Sequence, residues 1–153
     1  MSVDDFKFSK EKLKDVLEES YFLYEEHHNE LVGEKIKFKP DVPKYLNTEQ
    51  NGNLNVYCIR DLTGKLVGYS YYMTAQHHHR TQVTVAENTL FFITASCRKG
   101  WLASKFIKYC EQMLFDSGVN QIHMRTKVRA SFGVLLKRLK YNEEEVMYIK
   151  KKE

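Results

Sequence analysis

Residues 89–96, Thr-Leu-Phe-Phe-Ile-Thr-Ala-Ser, run into residues 97–105, Cys-Arg-Lys-Gly-Trp-Leu-Ala-Ser-Lys, and then into residues 106–114, Phe-Ile-Lys-Tyr-Cys-Glu-Gln-Met-Leu. The apolar run 90–95 is short and rich in β-formers, which predicts a buried strand. Leu102, Ala103, Phe106, Ile107, Cys110, Met113 and Leu114 then recur at helical spacing, with Lys105, Lys108, Glu111 and Gln112 on the opposite side, as in an amphipathic helix. Between them lies a basic loop with a single glycine, Gly100. A loop feeding a helix N-terminus offers unpaired backbone N–H groups and the positive end of the helix dipole. Both suit a phosphate or pyrophosphate. The loop has neither the Gly-Lys-Ser/Thr ending of a P-loop nor the Gly-x-Gly-x-x-Gly of a dinucleotide fold.

Working outward, residues 83–95 read as a central strand that carries Glu87 and Asn88 early in its course. Ahead of it, residues 54–60 and 65–73 read as two strands joined by Asp61-Leu62-Thr63-Gly64. Tyr57, Tyr69, Tyr71 and Tyr72 fit cross-strand packing there; a stacking platform for bases would need basic residues interleaved on the same face. Gln76-His77-His78-His79-Arg80 reads as a polar connection, and no metal site is predicted from it. At the front, residues 3–8 suggest a strand and Ser9 an N-cap. Leu13, Val16, Leu17, Tyr21, Tyr24 and Leu31 suggest a long helix ending near Gly33. His27 and His28 fall among glutamates on what reads as its solvated face. Residues 38–53 read as a loop with a short helix near residues 42–46. After Gly118, residues 121–125 suggest a strand that includes His123. Ser131 is a candidate cap for a helix bearing Phe132, Leu135, Leu136 and Leu139, and residues 145–150 suggest a closing strand.

The totals narrow the class. The 153 residues suffice for one domain spanning 1–153, and 42% hydrophobic content is that of a globular chain. A net charge of +4, mixed in sign, suits an anionic ligand and gives little reason to expect nucleic acid. Three cysteines without paired spacing suggest free thiols in a reducing, cytoplasmic setting. No apolar run approaches the ~20 residues of a membrane span.

Arg98-Lys99-Gly100-Trp101-Leu102-Ala103 resembles the Gln/Arg-x-x-Gly-x-Gly/Ala acetyl-CoA signature of the GNAT N-acetyltransferase superfamily. The segments beginning at Arg60, Arg98, Gly118 and Phe132 follow in the order that family uses. In phrasing they are most similar to small bacteriophage-encoded GNAT-like proteins. The resemblance implies an α/β (α+β) fold, with a mixed, mostly antiparallel central sheet flanked by helices. It implies acetyl-CoA as cosubstrate and an amine as acceptor. By position, Phe91 and Ile93 would offer backbone groups to the pantetheine arm. Arg98, Lys99, Gly100, Trp101, Leu102 and Ala103 would cradle the pyrophosphate, Ser104 would extend that contact, and Arg129 stands at a family asparagine. Two departures stand out: Trp101 occupies a usual glycine position, and Leu136 that of the tyrosine which often protonates the departing thiolate. A leucine cannot donate a proton, so either another group does, such as Tyr141 or a water, or the fold no longer catalyses. Glu87, and after it His123, are the candidate bases for neutralising the attacking amine. The departures also leave a second reading open: a catalytically silent protein of this fold, made in the host cytoplasm, whose partner is a second copy or a virion or host protein.

Overall fold

The computed structural model describes residues 2–30, 39–98, 100–128 and 132–152. A 3-10 turn at Val3–Asp5 leads into β1 (Lys7–Glu11), α1 (Leu13–Glu30), α2 (Val42–Gln50), β2 (Leu54–Arg60), β3 (Leu66–His77) and β4 (Arg80–Ile93). A second 3-10 turn, Ala95–Cys97, precedes α3 (Leu102–Asp116), β5 (Gln121–His123) and α4 (Gly133–Arg138). The strands form one sheet in the order β1-β2-β3-β4-β5. The pairings β1–β2, β2–β3 and β3–β4 are antiparallel, and β4–β5 is parallel.

The sheet is buried on both faces, so β2 is apolar or enclosed over nearly its whole length rather than alternating. On one face α3 places Leu102, Phe106, Cys110 and Leu114 against Tyr57, Ile59, Tyr72, Ala86 and Ile93. On the other, α1 places Leu13, Val16, Leu23 and Tyr24 against Val56, Cys58, Tyr69, Tyr71 and Phe92. The four strand tyrosines are almost fully buried, in agreement with the packing read from sequence. Burial pushes their phenols above the ordinary range. Tyr24 and Tyr71 satisfy one another by a hydroxyl–hydroxyl hydrogen bond. At Gly68 a Cβ would come within 2.9 Å of the Phe92 carbonyl oxygen, so only glycine lets β3 and β4 approach this closely.

Several expectations change. Ser9 does not cap α1; it lies in β1, opposite Cys58, because the alternating Phe6-Lys7-Phe8 pattern continues into a strand that pairs with β2. The helix in residues 38–53 runs the full Val42–Gln50, capped by Asp41 with Pro43 in its first turn. β3 and β4 extend to a two-residue turn at His78-His79, so His77 and Arg80 are strand residues rather than loop. The strand expected over residues 121–125 stops at His123. Residues 145–150 form no strand, and Val146, Met147, Tyr148 and Ile149 are exposed. Gly33 and Ser131 lie outside the described residues.

Candidate active site

β4 and β5 stay together for three rungs: Val85–Gln121, Ala86–Ile122 and Glu87–His123. Beyond Glu87, β4 continues along β3 alone, while residues 124–127 carry no regular structure. The separation coincides with a bulge. Asn88 lies opposite Tyr72 and Leu90 opposite Tyr71, which leaves Thr89 as an extra residue in β4. The bulge moves the strand's face: Ala86 packs on the α3 side before it, and Phe91 and Ile93 do so after it. The buried Asn88 amide donates to Ser70 Oγ at 3.0 Å, to the Tyr71 carbonyl at 3.2 Å and to the Leu90 carbonyl at 3.0 Å. It supplies the bonding that the irregular ladder cannot. Sequence reading passed over Asn88, since one polar residue in a strand carries no signal of a bulge.

The alternation of an antiparallel ladder fixes which backbone groups face the gap. Thr94 N–H donates to the Val67 carbonyl across β3. Phe92 therefore points its amide and carbonyl the same way, and those of Phe91 and Ile93 turn outward, toward the side that β5 has left. The Ile93 carbonyl is taken by Arg98 Nε at 2.6 Å. The Phe91 ring stacks on Phe132 with centroids 5.5 Å apart, closing one wall from α4's first turn.

At the end of β4 the chain turns through Ala95–Cys97 and reaches Gly100, whose φ of 60° is in the left-handed region that favours glycine. A Cβ at Gly100 would meet nothing, so backbone conformation rather than space selects the residue. Trp101 follows as the α3 N-cap at φ −99°. The side chain at Trp101 therefore sits on ordinary backbone, because the positive φ falls one residue earlier, at Gly100. The Trp101 indole is 65% exposed. Its carbonyl accepts from Lys105 N–H at 2.9 Å, the first bond of the helix, and no side chain caps the turn. The amides of Leu102, Ala103 and Ser104 are thus the orphan donors of a 15-residue helix with no acidic residue in its first turn. Lys99 and Arg129 lie outside the described residues.

Arg98 has its side chain turned toward α1. Its Nη2 donates to both carboxylate oxygens of Glu30 at 2.8 Å, and its guanidinium lies 5.1 Å over the Phe92 ring. Glu26 accepts from Thr94 Oγ1 at 2.8 Å and from Ala95 N–H at 3.0 Å. Two turns of α1 therefore clamp the loop. His27, read as solvated, instead stacks on Phe92 at 4.7 Å and meets the Tyr69 hydroxyl at 2.8 Å through Nδ1. Its burial pushes the imidazole pKa down, against a smaller upward pull from Glu30. The i, i+4 spacing of Glu26 and Glu30 around His27 could have signalled an inward-facing polar stripe.

The two candidate bases come together. Glu87 and His123 share the last β4–β5 rung, with Glu87 Oε1 4.0 Å from His123 Nδ1 and Glu87 Oε2 accepting from Arg125 Nη2 at 3.2 Å. Both side chains are partly exposed at the mouth of the gap. The Tyr141 hydroxyl is buried beside Glu111 and Cys110 of α3, close to the Glu111 carboxylate but without a hydrogen bond of good geometry among the described residues. Burial, and then the Glu111 carboxylate, push its phenol pKa up, and Cys110 and Tyr72 are further neighbours. Leu136 is buried in α4. The three cysteines are free and buried. Among the described residues no group of three His, Cys, Asp or Glu side chains is placed to hold a metal, and no helix is long and apolar enough to cross a membrane.

No protein-family model and no curated protein matches the sequence. Solved structures do match the fold. An aminoglycoside acetyltransferase from an uncultured soil metagenomic sample, in complex with sisomicin, has a TM-score of 0.75 at 14% identity, covering 98% of each chain. A ribosomal-protein-alanine N-acetyltransferase from Brucella melitensis biovar Abortus 2308 has a TM-score of 0.73 at 13% identity, over 97% of this chain and 99% of that one. A predicted acetyltransferase from Clostridium acetobutylicum, solved with acetyl-CoA, has a TM-score of 0.71 at 11% identity, over 95% of this chain and 96% of that one. A mostly antiparallel sheet with helices on both faces, superposable on these structures over nearly its whole length, is the GNAT acyltransferase fold.

Proposed function

We propose that the protein is an acetyl-CoA-dependent N-acetyltransferase, working as one domain on a primary amine of a protein or small molecule. The observation that carries this reading is the junction of a strand gap with an uncapped helix N-terminus. β4 leaves β5 at Glu87, and the free edge of β4 leads directly to Gly100 and the orphan amides of α3. An extended arm can pair with the outward groups of Phe91 and with the Ile93 amide. A pyrophosphate can then take the N–H groups of Gly100, Trp101, Leu102, Ala103 and Ser104. The open space at Gly100 and the absence of an acidic side chain in the first turn of α3 suit an anion there. By their positions in the sequence, directly before Gly100 and four residues before Gly133, the cationic Lys99 and Arg129 are further candidates for contributing charge to the phosphates. Arg98 acts through its latch to Glu30 and the Ile93 carbonyl, as a positioning residue for the loop.

The cosubstrate supplies an activated acyl carbon. A neutral amine attacks it, the carbon–sulfur bond breaks, and the amine gives up a proton. Glu87, at the mouth of the gap, accepts that proton through water, with His123 beside it as alternate acceptor and Arg125 holding the carboxylate in place. Tyr141 or a water provides the proton for the departing sulfur, since Leu136 has none to give.

One observation favours a second reading. Leu136 is buried and inert where the resemblance places a phenol, and the Tyr141 hydroxyl is buried beside α3. A silent protein of this fold, serving as a viral structural or host-interaction module, would show this combination. Incubation with acetyl-CoA and a panel of amines and peptides near pH 7, with free thiol as the readout, separates the two. Amine-dependent thiol release is the expected result. Release no faster than without amine, from a protein that still binds the cosubstrate, would reject the enzyme in favour of the module.

A further inference from the structure

Residues 142–152, Asn-Glu-Glu-Glu-Val-Met-Tyr-Ile-Lys-Lys-Lys, follow Tyr141 without regular structure, and all of them are exposed. Val146, Met147 and Ile149 leave about two thirds of their surface open, and Tyr148 is 92% exposed. A β-branched and aromatic block of this kind has high strand propensity, and exposed strand-forming backbone is a template for pairing with another chain. Its charges specify which chain. Glu143, Glu144 and Glu145 stand on one side of the apolar block, and Lys150, Lys151 and Lys152 on the other. Read backwards, the segment is its own electrostatic complement.

A two-fold antiparallel ladder centred on Tyr148 sets Met147 opposite Ile149, Glu145 opposite Lys151 and Glu144 opposite Lys152, and by symmetry the reverse. Centring it on Met147 instead sets Glu144 opposite Lys150 and Glu143 opposite Lys151. Either register places acid against base on directly facing positions. An in-register parallel pairing would place Glu on Glu and Lys on Lys. Among the described residues the segment pairs with no strand of its own chain. Of the two outer strands, β1 (Lys7–Glu11) and β5 (Gln121–His123), neither carries an acidic block and a basic block to match it. The ion pair of Glu143 with Lys137, at 3.8 Å, is highly exposed and correspondingly weak.

We propose that residues 143–152 are a homodimerisation strand, joining two copies of this chain in an isologous, two-fold antiparallel ladder with Glu-to-Lys pairs at both ends. The partner is a second copy because the complement of the segment is the segment itself.

The test is sedimentation of the full chain with charge-reversed variants, each checked for native circular dichroism. The wild type should dimerise at about 100 μM protein in low salt, and less so at about 1 M salt, where the Debye length falls to ~3 Å. K150E/K151E/K152E and E143K/E144K/E145K should each weaken the dimer at least about tenfold, since every facing charge pair becomes repulsive. An equimolar mixture of the two triple variants should recover it as a heterodimer. That recovery also shows that both variants are folded and competent. A wild type that stays monomeric, a dimer indifferent to both reversals, or a mixture that stays monomeric would each overturn the proposal.

Discussion

Glu87 and His123 face one another across the last rung that β4 and β5 share, with 4.0 Å between Glu87 Oε1 and His123 Nδ1. Two residues further on, the bulge at Thr89 sends β4 away from β5. The only carboxylate–imidazole pair bridging the two strands among the described residues therefore marks the point where the gap opens.

Glu87→Gln keeps the shape and the hydrogen bond from Arg125 while removing the base. Thiol release from acetyl-CoA with an amine acceptor should fall by ~10²-fold or more near pH 7, the usual scale for general-base loss. Affinity for CoA should stay close to wild type. His123→Ala should cost less, because Glu87 remains. Release unchanged in both variants would refute the assignment.

Tyr141→Phe removes a buried hydroxyl that lies beside the Glu111 carboxylate and makes no hydrogen bond of good geometry among the described residues. The variant should therefore lose little stability in urea. Turnover should drop about tenfold or more if the phenol protonates the departing sulfur. Full turnover would show that water does so.

Arg98→Ala breaks the bonds to Glu30 and to the Ile93 carbonyl. The Arg98–Glu30 pair is about 40% exposed on each side, so its ionic part is modest, and a loss of ~1 kcal/mol in urea unfolding is expected. CoA affinity should fall only through loosening of the loop, and the double variant Arg98→Ala, Glu30→Ala should be no worse than the single. A far larger affinity loss, with stability intact, would place the guanidinium on the phosphates.

His27 sets a pH dependence. Burial lowers its pKa in the folded protein, so the unfolded chain, with a His value of about 6.5, takes up the proton first. Stability is full above that value and falls as pH drops from about 6.5 toward the lower folded pKa. Urea midpoints at pH 7.5 and 5.5 should differ in wild type and converge in His27→Gln, which does not titrate. Glu11 and Glu19, whose pKa values Arg60 holds low, lose their contributions only below about 4.5. Parallel behaviour of the two proteins across this interval would contradict the role given to His27.

The strand–loop–helix stretch and the hairpins were legible because apolar period and turn chemistry agree there. β2 was readable to the residue, and the junction of β4 with α3 to within two residues. What stayed hidden depends on long-range geometry. The bulge at Thr89 arises from pairing with β3, and no local residue type announces it. The Glu26 and Glu30 clamp needs the end of β4 to arrive beside α1, so on the sequence alone these glutamates read as solvent-facing. Residues 145–150 have the composition of a strand but pair with no strand of this chain among the described residues. Composition can report strand propensity and cannot say where the partner is.

The measurement that bears most directly on the account is isothermal titration of acetyl-CoA into the wild type and into Ala103→Glu. The account predicts saturable binding by the wild type. It predicts a loss of at least about tenfold in the variant, which sets a carboxylate beside the orphan amides of α3 where the pyrophosphate should lie. Circular dichroism of the variant should be native, as Ala103 lies in the first turn of α3 and is only partly buried. No binding by the wild type at millimolar acetyl-CoA, or equal affinity in a folded Ala103→Glu, would contradict it.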